Sequence, residues 1–167
     1  MVCDDRLMPL QSAHVVLEPI SPSLARRIVA RDERPGDDWH PEYPFADELD
    51  PLRSLGALTD PDPYFTMYVI RRTPDHQAVG GFGFFGPPDT VGRVEFGYGL
   101  VPSARGEGLA TEAVTLALNS ARDHGAAIAA ADTDEGNTAS QRVLVKSGLI
   151  EVVRRDSFIF YERDLTA

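Results

Sequence analysis

The sequence predicts an α+β fold, a mixed α/β sandwich whose mostly antiparallel central sheet is flanked by helices. Three observations predict it. Two β-rich runs, Tyr64 to Arg71 and Ala78 to Phe85, are joined by the turn chemistry of Thr73-Pro74-Asp75-His76 and read as an antiparallel pair. The strong turn Gly86-Pro87-Pro88-Asp89 leads from them into a third run, Val91 to Val101. Two helical patterns follow, and Ala126 to Asp132 between them reads as a buried strand parallel to the third run. All of residues 1–167 are read as one domain, with an acidic segment at about 32–63.

Each element has a local reason. His14 to Pro19 alternates weakly around Val15 and Leu17 and reads as a first strand. Ser21 then serves as N-cap with Pro22 at the first helical position, and Leu24, Ile28 and Val29 share one face. Pro35 to Pro63 is rich in Pro and Asp and therefore loop-prone, with a short helix opening at Asp50-Pro51 and carrying Leu52, Leu55 and Leu58. After Pro102 ends the third run, a helix with Leu109, Ala110, Ala113, Val114, Leu116, Ala117 and Ala121 on its apolar face runs to His124-Gly125. Asn137 caps the last helix, which ends at Lys146 with Gly148 beyond it. Leu149 to Arg154 and Phe158 to Arg163 then form a closing hairpin.

The stretch Val94 to Ala121 (VEFGYGLVPSARGEGLATEAVTLALNSA) carries the chemistry. Strand, glycine loop and helix start in succession present backbone N–H groups and a positive helix end to a phosphate. A dinucleotide fingerprint would place a small residue where Thr111 stands and would follow the strand directly, whereas four residues intervene after Val101. Gly97 and Gly99 fit a ligand lying flat on the strand, or a β-bulge.

Composition bounds the rest. A net charge of −10 argues against nucleic acid and anionic membrane as partners. The longest apolar run, Ala126 to Ala131, is too short to span a bilayer, and Met1 to Gln11 has no apolar core of a secretion signal. One cysteine, Cys3, permits no internal disulfide and fits a reducing cytoplasm. The histidines His14, His40, His76 and His124 are scattered without ligand spacing, so no metal site is expected. Ten acidic residues between Asp32 and Asp62 face only Arg34 and Arg53; they read either as a solvated loop or as a lip that attracts a cationic amine.

The loop Arg105-Gly106-Glu107-Gly108-Leu109-Ala110 satisfies the pattern Q/R-x-x-G-x-G/A. With Ala110-Thr111-Glu112-Ala113 and the stretch Asn137 to Leu149, the chain resembles the GNAT acetyltransferase superfamily, and within it the RimJ/RimL-like branch. The resemblance is sharpest from Gly80 to Leu149. It implies a sheet splayed at the cofactor site, acetyl-CoA as co-substrate, and an acceptor amine that is a small molecule or a protein N-terminus. It also admits a homodimer through the C-terminal strands. A non-catalytic acyl-CoA-binding domain is the alternative reading.

On this resemblance Gly99, Leu100 and Val101 pair with the pantetheine arm. Arg105, Gly106, Glu107, Gly108, Leu109, Ala110 and Thr111, with Asn137 and Ser140, complete the cofactor set. An N–H near Tyr98 or Gly99 would stabilise the oxyanion of acyl transfer. Glu95 is the candidate base, or else a partner for Arg93. Leu144 stands where many relatives carry a proton-donating tyrosine, which leaves Ser140 as the substitute acid or as a plain first-turn serine. Trp39, His40 and Tyr43 join Glu95 as candidates facing the substrate; Trp39 could instead staple the loop to the core.

Overall fold

In the computed structural model, residues 8–167 are described; Cys3 lies outside them. Eight strands form the sheet, β1 (Leu10–Gln11), β2 (Val15–Pro19), β3 (Met67–Arg72), β4 (Ala78–Phe84), β5 (Arg93–Leu100), β6 (Ile128–Asp134), β7 (Ile150–Arg155) and β8 (Phe158–Asp164). Their spatial order is β1-β2-β3-β4-β5-β6-β8-β7, antiparallel except where β5 meets β6. Four helices flank it: α1 (Pro22–Val29), α2 (Leu49–Gly56), α3 (Leu109–Asp123) and α4 (Thr138–Lys146).

Local signals set the helix ends. Ser21 Oγ accepts the Leu24 N–H at 3.1 Å with Pro22 starting α1, and Asn137 Oδ1 accepts the Ser140 N–H at 3.1 Å at the start of α4. Gly125 and Gly148 take left-handed angles (φ 100° and 87°) just past α3 and α4. Two details differ from the sequence expectation. The strand β1 adds a two-residue rung beyond β2, too short to show a period. On α3 the stripe turns so that Leu118 is fully buried while Leu116 is only partly so.

The centre of the sheet has two unlike faces. Phe82 and Phe84 on β4 pair with Tyr98 and Phe96 on β5, and the rings of Phe82 and Phe96 stack at 5.3 Å. The alternate positions pair glycine with glycine, Gly81 with Gly99 and Gly83 with Gly97. Period-two alternation therefore yields an aromatic face, from which Tyr98 reaches Ser140 in the first turn of α4, and a smooth trough on the other side. The short 3-10 turn Ala46–Glu48 leads into α2 over that trough.

One feature of the pairing positions everything functional. The parallel strands β5 and β6 pair only at Arg93–Ile128, Val94–Ala129 and Glu95–Ala130. Beyond Glu95 and Ala130 they separate, leaving one edge of Phe96–Leu100 without a strand partner. The N-termini of α3 and α4 both stand at that opening.

Candidate active site

The opening between the strands leads into a cavity of about 1330 Å³. One wall is the glycine loop and the first turn of α3, including Gly106, Gly108, Leu109, Ala110 and Thr111. Gly106 (φ 85°) and Gly108 (φ 80°) are both left-handed, an arrangement that glycine adopts without the strain a side chain brings. Gly108 is the N-cap of α3 and offers no side chain, so the first-turn N–H groups keep their donors for a ligand. A Cβ at either glycine would meet nothing within 4 Å. The glycines are thus required by backbone angle and border open space. This cradle fits a pyrophosphate.

The opposite wall is the start of α4. Ser140 Oγ lies 2.8 Å from Tyr98 Oη, and Tyr98 Oη also reaches the Ser140 carbonyl at 3.2 Å. Burial pushes the Tyr98 phenol up to about 12, with the hydrogen bond to Ser140 opposing the shift. Both hydroxyls are therefore protonated and linked at neutral pH. Leu144, one turn further along α4, is fully buried. Arg142 and Lys146, on the same helix, border the cavity and supply its positive side.

The floor is the glycine trough, and Glu48 lies in it. Its carboxylate sits against Gly81, is 8% exposed, and leaves Oε1 without a hydrogen-bond partner. Burial first, then the neighbouring Asp47, push its pKa up to about 8, against the Gly81 N–H, which favours the ionised form. Sequence reasoning passed over Glu48 as one of ten acids in a loop-prone segment. A signal existed: Glu48, Leu52 and Leu55 are spaced i, i+4, i+7, so the acid occupies the inward stripe of the helix it precedes.

The other candidate residues fall into two groups. Gly99 and Leu100 line the cavity, as do Asn137 and Arg105. Arg105 Nε donates to the Leu100 carbonyl at 3.0 Å and its guanidinium covers the Phe45 ring at 5.2 Å, so it braces the end of β5. Val101 is buried with its N–H on the Val79 carbonyl at 2.8 Å, and Glu107 is exposed outside the lining. Trp39 and Tyr43 lie in the core, ring centroids 5.9 Å apart, and His40 bonds the Ala78 carbonyl. The bridge of Trp39 to Ala78 turns these rings inward, so none of the three lines the cavity. Leu58, expected on the apolar face of α2, falls beyond its end, 51% exposed at the cavity rim.

Glu95 is also set apart. Phe85 covers Gly97, with its ring 3.1 Å from where a Cβ would stand, and so divides Glu95 from the trough. The Glu95 side chain is 60% exposed, 3.9 Å from the Arg93 guanidinium, in a separate small concavity. Among the described residues there is no group of three metal-ligating side chains, and no helix is long and apolar enough to cross a membrane.

Known proteins share this architecture. The Uncharacterized N-acetyltransferase YjdG of Bacillus subtilis is 30% identical over 115 residues, spanning 68% of this chain and 67% of that protein. The ribosomal-protein-S5-alanine acetyltransferase of Vibrio fischeri superposes with a TM-score of 0.63 at 16% identity, over 94% of this chain and 96% of the other. YncA of Salmonella typhimurium, described as a putative acetyltransferase with its cofactor acetyl-CoA, gives a TM-score of 0.51 at 19% identity, over 59% and 65% of the two chains. The profile of the Acetyltransferase (GNAT) domain matches residues 14–150, and the chain belongs to the GNAT acetyltransferase family.

Proposed function

We propose that this chain is an acetyl-CoA-dependent N-acetyltransferase in which a primary amine attacks the thioester directly in a ternary complex. The observation that carries the reading is the meeting, at one opening, of the parted β5 and β6, the uncapped left-handed loop before α3, and the Tyr98–Ser140 hydroxyl pair. The N–H groups of Gly106 to Ala110 would hold the pyrophosphate, with Arg142 and Lys146 on the positive side of the cleft. The unpaired edge at Gly99 and Leu100 would take the pantetheine as a further strand. When bound, acetyl-CoA supplies an activated acetyl group. Ser140, backed by Tyr98, is assigned the proton for the departing sulfur in place of the tyrosine that Leu144 replaces.

The RimJ/RimL-like branch is supported by the Asn137 to Leu149 stretch and by the fold likeness to the Vibrio enzyme. Its acceptors would be peptide N-termini or small amines, and a reducing cytoplasm suits its single cysteine. A homodimer through the C-terminal strands is supported by exposed Ile150, Val152 and Val153 on β7 and by Phe158 on β8. The buried Leu144 is the observation that favours the alternative, a non-catalytic acyl-CoA-binding domain.

Thiol release from acetyl-CoA decides between the two. The assay covers N-terminal peptides, lysine peptides, polyamines, aminoglycosides and alkylamines. Turnover with at least one amine class, reduced about 100-fold by Ser140→Ala, is the expected result. Tight coenzyme A binding with no thiol released by any amine would replace the transferase with the binding domain.

A further inference from the structure

Three buried side-chain oxygens lack a hydrogen-bond partner among the described residues: Tyr43 Oη, Glu48 Oε1 and Thr66 Oγ1. Buried polar atoms are nearly always satisfied, and an exception on a cavity wall marks a place where a ligand can supply the missing partner. Glu48 and Thr66 line the same cavity. Glu48 has no salt-bridge partner among the described residues, and its charge acts on the Tyr43 phenol. A carboxylate held this way, with an open lone pair, is complementary to an ammonium group.

We propose that the Glu48 carboxylate, on the floor of the glycine trough, receives the acceptor's ammonium group and takes its proton, and that the acceptors are primary amines carried on an apolar chain. The inference rests on the transferase reading and moves the base from Glu95 to Glu48. Distance supports it. The carboxylate lies on Gly81, whose cross-strand partner Gly99 is on the unpaired edge of β5, one strand spacing (about 5 Å) away. Glu95 lies beyond Phe85. Phe45, Leu55, Phe65, Met67 and Phe85 surround the trough, which favours methylene groups next to the reacting nitrogen.

The groups facing Glu48 are Asp47 on its own turn, Tyr43 from the preceding loop, and the Gly81 N–H from β4. Arg71, whose Nε bonds Glu18 at 2.5 Å, acts on Tyr43 behind it. Arg105 is engaged elsewhere, its guanidinium over the Phe45 ring and its Nε on the Leu100 carbonyl. The elevated carboxyl, at about 8, narrows the gap to an alkylammonium near 10.4, which makes it the stronger base.

The transfer balances as follows. One of the ammonium's three protons passes to Glu48, and the freed lone pair forms the C–N bond as the C–S bond breaks. A second proton reaches the departing sulfur through Ser140 and Tyr98. The third stays on the amide, and Glu48 returns its proton to water.

The test uses the full chain with acetyl-CoA and hexylamine, comparing wild type with Glu48→Gln, Glu48→Asp and Glu95→Gln across pH 6 to 10. The expected result is a loss of 100-fold or more in kcat/KM for Glu48→Gln, with coenzyme A affinity unchanged. The rise of activity through about pH 8 should vanish in that variant, Glu48→Asp should retain part of the rate, and Glu95→Gln should stay near wild type. A Glu48→Gln enzyme within threefold of wild type and with the same pH profile would overturn the proposal. If wild type itself shows no turnover, the transferase reading fails separately, and hexylamine calorimetry in two buffers decides the amine site. Binding with proton release, lost in Glu48→Gln, upholds the site; no binding, or equal binding by the variant, overturns it.

Discussion

At the scale of residues, burial and partner decide what each acid does. Asp37 is held by Arg27 at 2.6 Å, and its carboxyl stays below the usual range. Asp62 accepts the N–H groups of Tyr64 and Phe65, and Glu42 accepts from Ser103. These are the uses expected of acids in a Pro-rich segment, and composition alone made Glu48 look like one of them. What separates it is desolvation, a property of the folded chain. Its folded pKa near 8 exceeds the unfolded value of 4.5, so the native state binds the extra proton between those values. Stability contributed by the protonated carboxyl is therefore full below about pH 4.5 and is lost progressively as pH rises through 8, by on the order of 5 kcal/mol. Glu48→Gln should melt close to wild type at pH 5 and well above it at pH 9; parallel melting curves across that range would refute the burial argument.

At the scale of elements, the glycine loop and α3 were legible because their signals are local. The pattern Arg105 to Ala110 needs no tertiary knowledge, and the left-handed angles at Gly106 and Gly108 are what its glycines are for. A Gly108→Val substitution would force a β-branched residue to φ 80°, costing roughly 1–3 kcal/mol of local strain. It should weaken coenzyme A binding at least tenfold by calorimetry while leaving circular dichroism unchanged; unaltered affinity would mean that the cradle lies elsewhere. The 39–45 loop was less legible for a physical reason. Whether Trp39 faces substrate or core depends on the bridge to Ala78, a contact between residues 39 apart in sequence. No window of the sequence shows that register.

At the scale of the whole molecule, seven of the eight strands and their succession along the chain followed from periodicity and from the family resemblance together, while β1, the place of β8 between β6 and β7, and the turn of the α3 stripe did not. The expected homodimer belongs to this scale. β7 ends the sheet with every residue exposed, including Ile150 at 68%. Light scattering should give twice the chain mass, reduced to one by Ile150→Glu with Val152→Lys; a monomeric wild type would remove the dimer.

The seating of Glu48 on Gly81 has a consequence for how this sequence can drift. A methyl group at position 81 would stand 2.8 Å from the carboxylate carbon. Position 81 is therefore not free to gain a side chain while the acid keeps its seat: alanine at 81 pushes the Glu48 carboxylate off the trough floor or demands a shorter side chain at 48. Among relatives that keep the acid, position 81 should stay glycine, and lineages that lose the acid are those in which the trough is released to narrow and accept a different guest.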